Sequence, residues 1–472
     1  NNDSENEEGA AERLPWRLVG AVMSGTLLNP LNSSMIAVAL LSLRADFLVN
    51  TVTVTWLLSG FYLAASIGMP LMGRLADQFG PRRIFTLGLL LVGVTGALAP
   101  LAPAFGWLLV IRIVQAFGTA AAYPSGLAII RSNDRGGRAP AAALGAISIA
   151  SSVSAALGPV LGGGLVALAS WPAIFLINVP VIIVGLILAR RWLPPDAAPG
   201  LASGETVLLW RDAVRTLDLP GAMLFGALLV SVLGFLLSLS SRPLWLLLPF
   251  AGVAAILFLV REYRVATPFV DLRLLVGNRS LVGIYAQFAA VNLVFYSVFF
   301  GLPLWLEEAR RFAPGTAGLL LLPVAGIGVL ATPLAARLID RSGPRSSLIV
   351  GAVLLLVGSL LLLLLNTSTP VLVLLVVGAV LGVPNGFNNL GLQAALYEIA
   401  PANQMGAAGG LFQTFRYTGA ILSTALIGIV LGPGATSATL HTLAILIAAV
   451  STLLVVASVI TRSSSVSGRQ VV

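Results

Sequence analysis

The feature that most constrains this chain is its series of long apolar runs. A helix crossing the hydrocarbon of a bilayer needs about 20 mainly apolar residues. Fourteen such runs occur, at 16–41, 52–72, 84–104, 107–130, 140–166, 172–190, 217–240, 243–261, 280–305, 315–337, 346–366, 370–396, 406–431 and 438–461. Leu, Ala, Val and Gly fill them without sustained alternation. They therefore do not read as the alternating strands of about ten residues that build a membrane barrel. Where water is absent, each backbone polar group needs a partner within its own segment, and a helix supplies one. The expected fold is an all-α membrane protein of fourteen transmembrane helices. Of the 472 residues 58% are hydrophobic and 10% charged, against about 25% charged in a soluble protein.

The missing residue types exclude whole chemistries. All 27 basic residues are Arg and none is Lys. That removes a P-loop, whose Lys reaches the nucleotide phosphates, and a Schiff-base enzyme. Cys is absent, so there is no thiol nucleophile and no thiolate metal site. His441 is the single His. No enzyme, cofactor or metal centre is expected. The net charge of +9 is read as loop charge orienting a membrane protein rather than as a nucleic-acid surface. With the N-terminus inside, 21 Arg face the cytoplasm, while Arg44, Arg242, Arg310 and Arg311 face outward and Arg112 and Arg416 fall within runs. This bias places both termini in the cytoplasm and the protein in a bacterial cell membrane. The stretch 207–215 reads as a short interfacial helix or a plain connector.

Two loops repeat each other. Gly73-Arg74-Leu75-Ala76-Asp77-Gln78-Phe79-Gly80-Pro81-Arg82-Arg83 follows the second run. Ala336-Arg337-Leu338-Ile339-Asp340-Arg341-Ser342-Gly343-Pro344-Arg345 follows the tenth, offset by 263 residues. Such a recurrence implies two related halves, as in transporters built of repeats. The expected organisation is a disordered tail (1–15), a six-helix bundle (16–190), a linker (191–216), two inserted helices (217–261), a second linker (262–279), a second six-helix bundle (280–461) and a tail (462–472). Gly73 allows close helix approach, Gly80 and Pro81 make the turn, and Asp77 accepts hydrogen bonds or pairs with Arg. Gly73, Asp77, Gly80, Arg82, Asp340 and Arg345 form a candidate conformational switch.

These loops resemble those of the major facilitator superfamily, and more narrowly those of its 14-span drug:proton antiporters. Arg112, Gln115 and Gly118 match an Arg-x-x-Gln-Gly-x-Gly element, with Ala116 where Gly is usual. Gly158-Pro159-Val160-Leu161-Gly162-Gly163 matches the antiporters' Gly-Pro-x-x-Gly-Gly. Trp171, Phe175, Asn178 and Pro180 match the family's start of span six, and 267–272 resembles its loop before span nine. Where the family carries Leu-Asp-x-Thr-Ile-Val in span one, this chain reads Leu31-Asn32-Ser33-Ser34-Met35-Ile36. Asn32 cannot carry a proton. The resemblance implies a monomer that exports amphiphilic or lipophilic compounds by alternating access, driven by protons, as multidrug and antibiotic-resistance efflux proteins do.

Ionisable residues inside a membrane are costly and usually functional. Arg112 and Arg416 qualify, and no acid sits at their depth by these boundaries. Arg112 shares a helix face with Gln115, and Arg416 with Gln413. Each either serves a cavity that favours an anion or is clamped to backbone carbonyls. Asn29, Asn32, Tyr62, Gln287, Asn292, Tyr296, Asn385, Asn388, Asn389 and Gln413 are candidate cavity residues; such groups also bond helix to helix. Gly158, Pro159, Gly162 and Gly163 are expected at a helix-packing surface. Glu307, Glu308 and Asp46 are candidate proton carriers. A second reading is an exporter or facilitator of anionic or neutral amphiphiles such as lipids or organic acids. A third, of another class, is a receptor or scaffold, which needs no symmetric pair of switch loops.

Overall fold

The computed structural model describes residues 16–132, 141–196, 218–239, 242–265, 268–270, 272–399, 405–432 and 434–460. The expected tails, 1–15 and 462–472, and the stretch 207–215 lie outside the described residues. The first apolar run folds as α1 (Trp16–Thr26), α2 (Leu28–Met35) and α3 (Leu40–Asp46). The next five form α4 (Thr51–Phe79), α5 (Pro81–Leu98), α6 (Phe105–Ser132), α7 (Ala141–Ala169), and the pair α8 (Pro172–Leu176) and α9 (Asn178–Trp192). Then come α10 (Leu219–Ser238), α11 (Leu247–Arg264) and the short α12 (Leu272–Val276). The last six runs give α13 (Arg279–Glu308), α14 (Pro314–Leu320) with α15 (Leu322–Ser342), α16 (Pro344–Leu361), α17 (Val371–Ile399), α18 (Met405–Val430) and α19 (Ser437–Ile460).

Among the described residues eleven helices, with α8 and α9 taken as one and α14 and α15 as another, are long and apolar enough to cross a bilayer. The first run makes up to twelve, bent by 63° where Leu40–Asp46 departs from Trp16–Val38. The eighth and thirteenth runs are helical too, as α11 and α18, but stand outside that set. Their sequences explain it. Arg261, Glu262 and Arg264 end α11, and Gln413, Arg416 and Tyr417 interrupt α18.

Hydrogen bonds at the helix ends sort into two faces. At one, Trp171 Nε1 donates to Asp46 (2.6 Å), Arg44 pairs with Glu308, and Arg310 donates to Thr369 O (2.6 Å). At the other, Arg82 donates to Arg190 O (3.2 Å), Arg74 to Pro268 O (2.8 Å) and Arg345 to Ser458 O (3.3 Å). These are called the Arg44 face and the Asp77 face.

The repeated loops are repeated structures. Gly80 (φ +98°) ends α4 and Pro81 starts α5, while Gly343 (φ +77°) ends α15 and Pro344 starts α16. Positive φ suits Gly, and Pro suits a first helical turn, whose N–H is unpaired anyway. Arg82 then reaches the closing carbonyls of α9, and Arg345 those of α19. A cation at a helix C-terminus offsets the partial negative charge there.

Early and late helices meet through bare backbone. A side-chain carbon on Gly163 would lie 2.4 Å from Pro314 O, and one on Gly318 2.1 Å from Pro159 O. Gly158 and Gly162 bring α7 equally close to Ser34 and Met35 of α2. Pro159 and these glycines thus sit where α7 packs on α2 and α14. α4 packs lengthwise on α18, with Ser59 and Thr424 hydroxyls 2.5 Å apart. α10 packs on α11 and rests on α4 and α18.

Candidate functional site

Arg112 is 1% exposed. Its Nη2 donates to Asn32 O (2.7 Å) and its Nη1 to Gln115 Oε1 (2.6 Å). Its guanidinium carbon lies 4.3 Å from the Phe61 ring centroid, in cation–π range. Asn32 in turn forms a reciprocal amide pair with Asn178. Each Nδ2 donates to the other's Oδ1, at 2.7 and 2.9 Å. Where the family carries an acid, this chain has a neutral amide whose polar atoms are all occupied within α2, α6 and α9.

Arg416 stands in a different setting. It extends from α18 toward α13 and α4, and its one described side-chain bond is a long one, from Nη2 to Tyr296 OH (3.4 Å). Its Nε, like that of Arg112, is buried without a hydrogen-bond partner. Tyr62 lies 5.3 Å from Tyr296, 5.8 Å from Tyr417 and 6.1 Å from Phe300 between ring centroids. Tyr296 stacks on Phe300 at 5.4 Å. Tyr62 OH is buried and finds no hydrogen-bond partner. Three phenols and one guanidinium thus converge where α4, α13 and α18 meet, amid hydrophobic packing. The arrangement supplies aromatic faces, hydroxyl donors and one cation.

Of the remaining candidates, Asn29 donates to Thr119 Oγ1 (3.1 Å). Asn292 donates to Phe288 O (2.8 Å), and its Cβ faces Gly419 on α18. Asn389 bonds Asn385 one turn earlier. Asn388 is buried against Gly351 of α16 rather than turned toward the tyrosines. Gln287 is buried and Gln413 half-buried, with no contact to the tyrosine group described. The structure brings together Tyr62, Tyr296 and Arg416 and leaves the asparagines of α17 apart from them.

At the Asp77 face, Gly73 packs toward Pro124 and the carboxylates of Asp77 and Asp340 are exposed. Asp196, from the linker, receives the Arg82 and Arg83 N–H groups (2.8 and 3.0 Å) and so caps α5. A side-chain carbon on Gly80 would strike it at 2.4 Å. Sequence reasoning missed Asp196, whose partner is 114 residues away. It also left Asn178 and Tyr417 without roles. Asn178 stood in a quoted motif, and the readable clue was its amide matching the amide at 32.

Among the three candidate proton carriers, Asp46 accepts from Trp171 and Glu308 accepts from Ala435 N (2.7 Å) and Arg44. Glu307 is 5% exposed, and its Oε2 has no hydrogen-bond partner. His441 donates to Leu365 O (2.8 Å) at the same face.

Comparison with known proteins decides the family. The family model of the Major Facilitator Superfamily matches residues 22–424. The chain belongs to this superfamily. It is 40% identical over 422 residues to the uncharacterised MFS-type transporter YwoD of Bacillus subtilis, covering 89% of this chain and 90% of that one. It is 26% identical over 435 residues to the tetracenomycin C resistance and export protein of Streptomyces glaucescens, covering 88% and 76%. A solved structure of a bacterial homologue of the lysosomal transporter Spinster superposes with a TM-score of 0.64 at 16% identity, covering 95% and 96%. This superfamily transporter is a multi-pass cell-membrane protein and not an enzyme.

Proposed function

We propose that this transporter is a proton-coupled exporter of aromatic amphiphiles, neutral or anionic at the end that meets Arg416. The carrying observation is the meeting of Tyr62, Tyr296, Tyr417 and Arg416 at the contact of α4, α13 and α18. Apolar pockets with a few convergent polar groups suit such ligands. A buried cation that lacks a nearby acid favours an anion. The name of the S. glaucescens relative supports the outward direction.

Fourteen spans with both termini cytoplasmic supply the frame of this reading. The sorting of end contacts into two faces supports it, because every pair joins helix ends that fourteen alternating spans put on the same side. The Arg44 face is then extracellular and the Asp77 face cytoplasmic. Residues 16–190 and 280–461 are the two rocking bundles and 217–261 the inserted pair, in a monomer. Gly73, Asp77, Gly80, Arg82, Asp340 and Arg345 act as the switch, and Gly158, Pro159, Gly162 and Gly163 as the sliding surface. Glu307 carries the coupling proton, since it alone of the three outer acids has a buried oxygen with neither a hydrogen bond nor an ion pair described.

The test is purified protein in tight liposomes under an imposed pH gradient, with an anionic naphthalene-sulfonate dye and the cationic dye ethidium as probes. Gradient-driven movement of the anionic dye, abolished by Glu307→Gln, is the expected result. Movement of ethidium alone would instead favour cationic-drug exchange. Movement indifferent to Glu307→Gln would move the coupling proton elsewhere.

A further inference from the structure

The two inserted helices carry a second polar centre, at the Asp77 face and away from the tyrosines. Asp218 caps α10 from a left-handed conformation (φ +44°), and its side chain is 1% exposed as a residue. Its Oδ1 receives Arg261 Nε (2.7 Å) and Gly221 N (3.2 Å), and its Oδ2 receives Phe269 N (3.2 Å). Glu262 is also 1% exposed. Its Oε2 receives Val270 N (2.7 Å), while its Oε1 is buried with no partner. Both Asp218 Oδ2 and Glu262 Oε1 lie within 2.6 Å of the point a Gly221 Cβ would occupy. Two carboxylates therefore converge over a glycine that leaves room for them.

Like charges at such a site cannot both be ionised cheaply. A proton on Glu262 Oε1 lets that otherwise unpaired oxygen donate toward Asp218 Oδ2, which already receives Phe269 N. The charged groups around the pair are Arg261 on α11 and Arg74 on α4. Arg74 donates to Pro268 O (2.8 Å), and the field of both acids reaches its guanidinium. The loop at 268–270 faces the pair with N–H groups, and Arg273 of α12 turns to Tyr263 O (2.8 Å). Arg74 lies one helical turn before Asp77 in the repeated loop.

We propose that Asp218 and Glu262 hold one proton between them, and that this proton regulates the switch by setting how firmly the inserted helices grip Arg74. Ionisation of Glu262 adds a negative charge that draws Arg74 onto the 268–270 loop. Protonation loosens it. Burial first, and then the proximity of Asp218, push the Glu262 carboxyl up to about 7 from an ordinary 4.5, against the opposing pull of the Val270 N–H and Arg74. The folded chain then holds a proton that the unfolded chain releases. Stability falls as pH rises from about 4.5 to about 7 and is level above that. The site thus responds to pH near neutrality, on the face read above as cytoplasmic. Its readouts need no transported substrate, so its failure and that of the export reading are distinguishable.

The experiment uses the full chain in lipid nanodiscs. An infrared difference spectrum between acid and alkaline pH should show a protonated-carboxyl band that titrates near 7 and is missing in Glu262→Gln. The chain has no native cysteine, so a spin label at Gln78→Cys can report the loop. Its mobility should fall as pH rises through 7, and become independent of pH in Glu262→Gln. Asp218→Asn, which removes the like charge but keeps the shape, should lower the proton affinity tenfold or more. A carboxyl band and label response that persist unchanged in both variants would overturn the proposal.

Discussion

Arg112 makes two short hydrogen bonds and lies on a ring face, whereas Arg416 ends among tyrosine rings with one long hydrogen bond described. Both are guanidinium groups at similar positions within apolar helices, and by residue type they are interchangeable. What separates them is the company that the fold brings. Arg112 faces α2, where it donates to Asn32 O, and a ring, Phe61, covers its face. Arg416 faces helices whose contacting residues are phenols, and these donate as readily as they accept. The Nε of each is buried without a hydrogen-bond partner, so the difference lies in the other nitrogens: both of those on Arg112 are bound, at 2.6 and 2.7 Å, whereas Arg416 has one described contact, at 3.4 Å.

Four substitutions sharpen this contrast, from the largest effect to the smallest. Arg112→Ala leaves Asn32 O and Gln115 Oε1 without their donor in a buried site, at about 1–3 kcal/mol each. Most of the protein should then be lost as a monodisperse species in size-exclusion chromatography. A folded, fully stable R112A would show that the clamp reading is mistaken. Arg416→Gln should leave thermal unfolding within about 1 kcal/mol of wild type, because one 3.4 Å bond is lost. Transport of the anionic dye should nonetheless fall by about tenfold or more, a loss of about 1.4 kcal/mol in binding. If instead R416Q unfolds and transports no worse per folded molecule, the two arginines are alike after all.

Phe61→Leu keeps an apolar side chain but removes the ring face under Arg112, and should cost about 0.5–2 kcal/mol in thermal stability. No comparable loss is expected from changing a single ring beside Arg416. Tyr296→Phe tests that. It deletes only the hydroxyl, and should shift stability by about 0.5 kcal/mol or less. A larger destabilisation would mean that the tyrosine group, like the shell of Arg112, is structural.

The repeated loops show how far the sequence could be read. Gly80 and Gly343, each followed by Pro, are recognisable from their order alone, since a helix stop, a turn and a helix start are local events. Pro70 and Pro333 add a matching interruption within α4 and α15 at the same 263-residue offset. The surroundings of the two turns are not local. A side chain on Gly80 would meet Asp196, whereas one on Gly343 would meet nothing within 4 Å. The first loop is enclosed by the linker and held through Arg74 by the inserted pair; the second carries neither attachment among the described residues. Glu262 was passed over in the sequence for a similar reason. It read as an acid in a polar linker, and its burial follows from Gly221, which lies 41 residues earlier.

Apolar run length, the paired Gly-Pro turns and the motifs that resemble the superfamily were enough to determine a helical membrane transporter in which the same turn occurs twice. Those features act over one helix or one loop, so neighbours in sequence decide them. Whether a polar residue inside a span is clamp, cavity or packing was decided by tertiary structure alone. Asn32 satisfies Asn178 and Arg416 meets Tyr296 because helices 120 to 146 residues apart in sequence lie side by side. In a low-dielectric interior the worth of a polar group depends on the partners it finds, and only the packing of the helices supplies those.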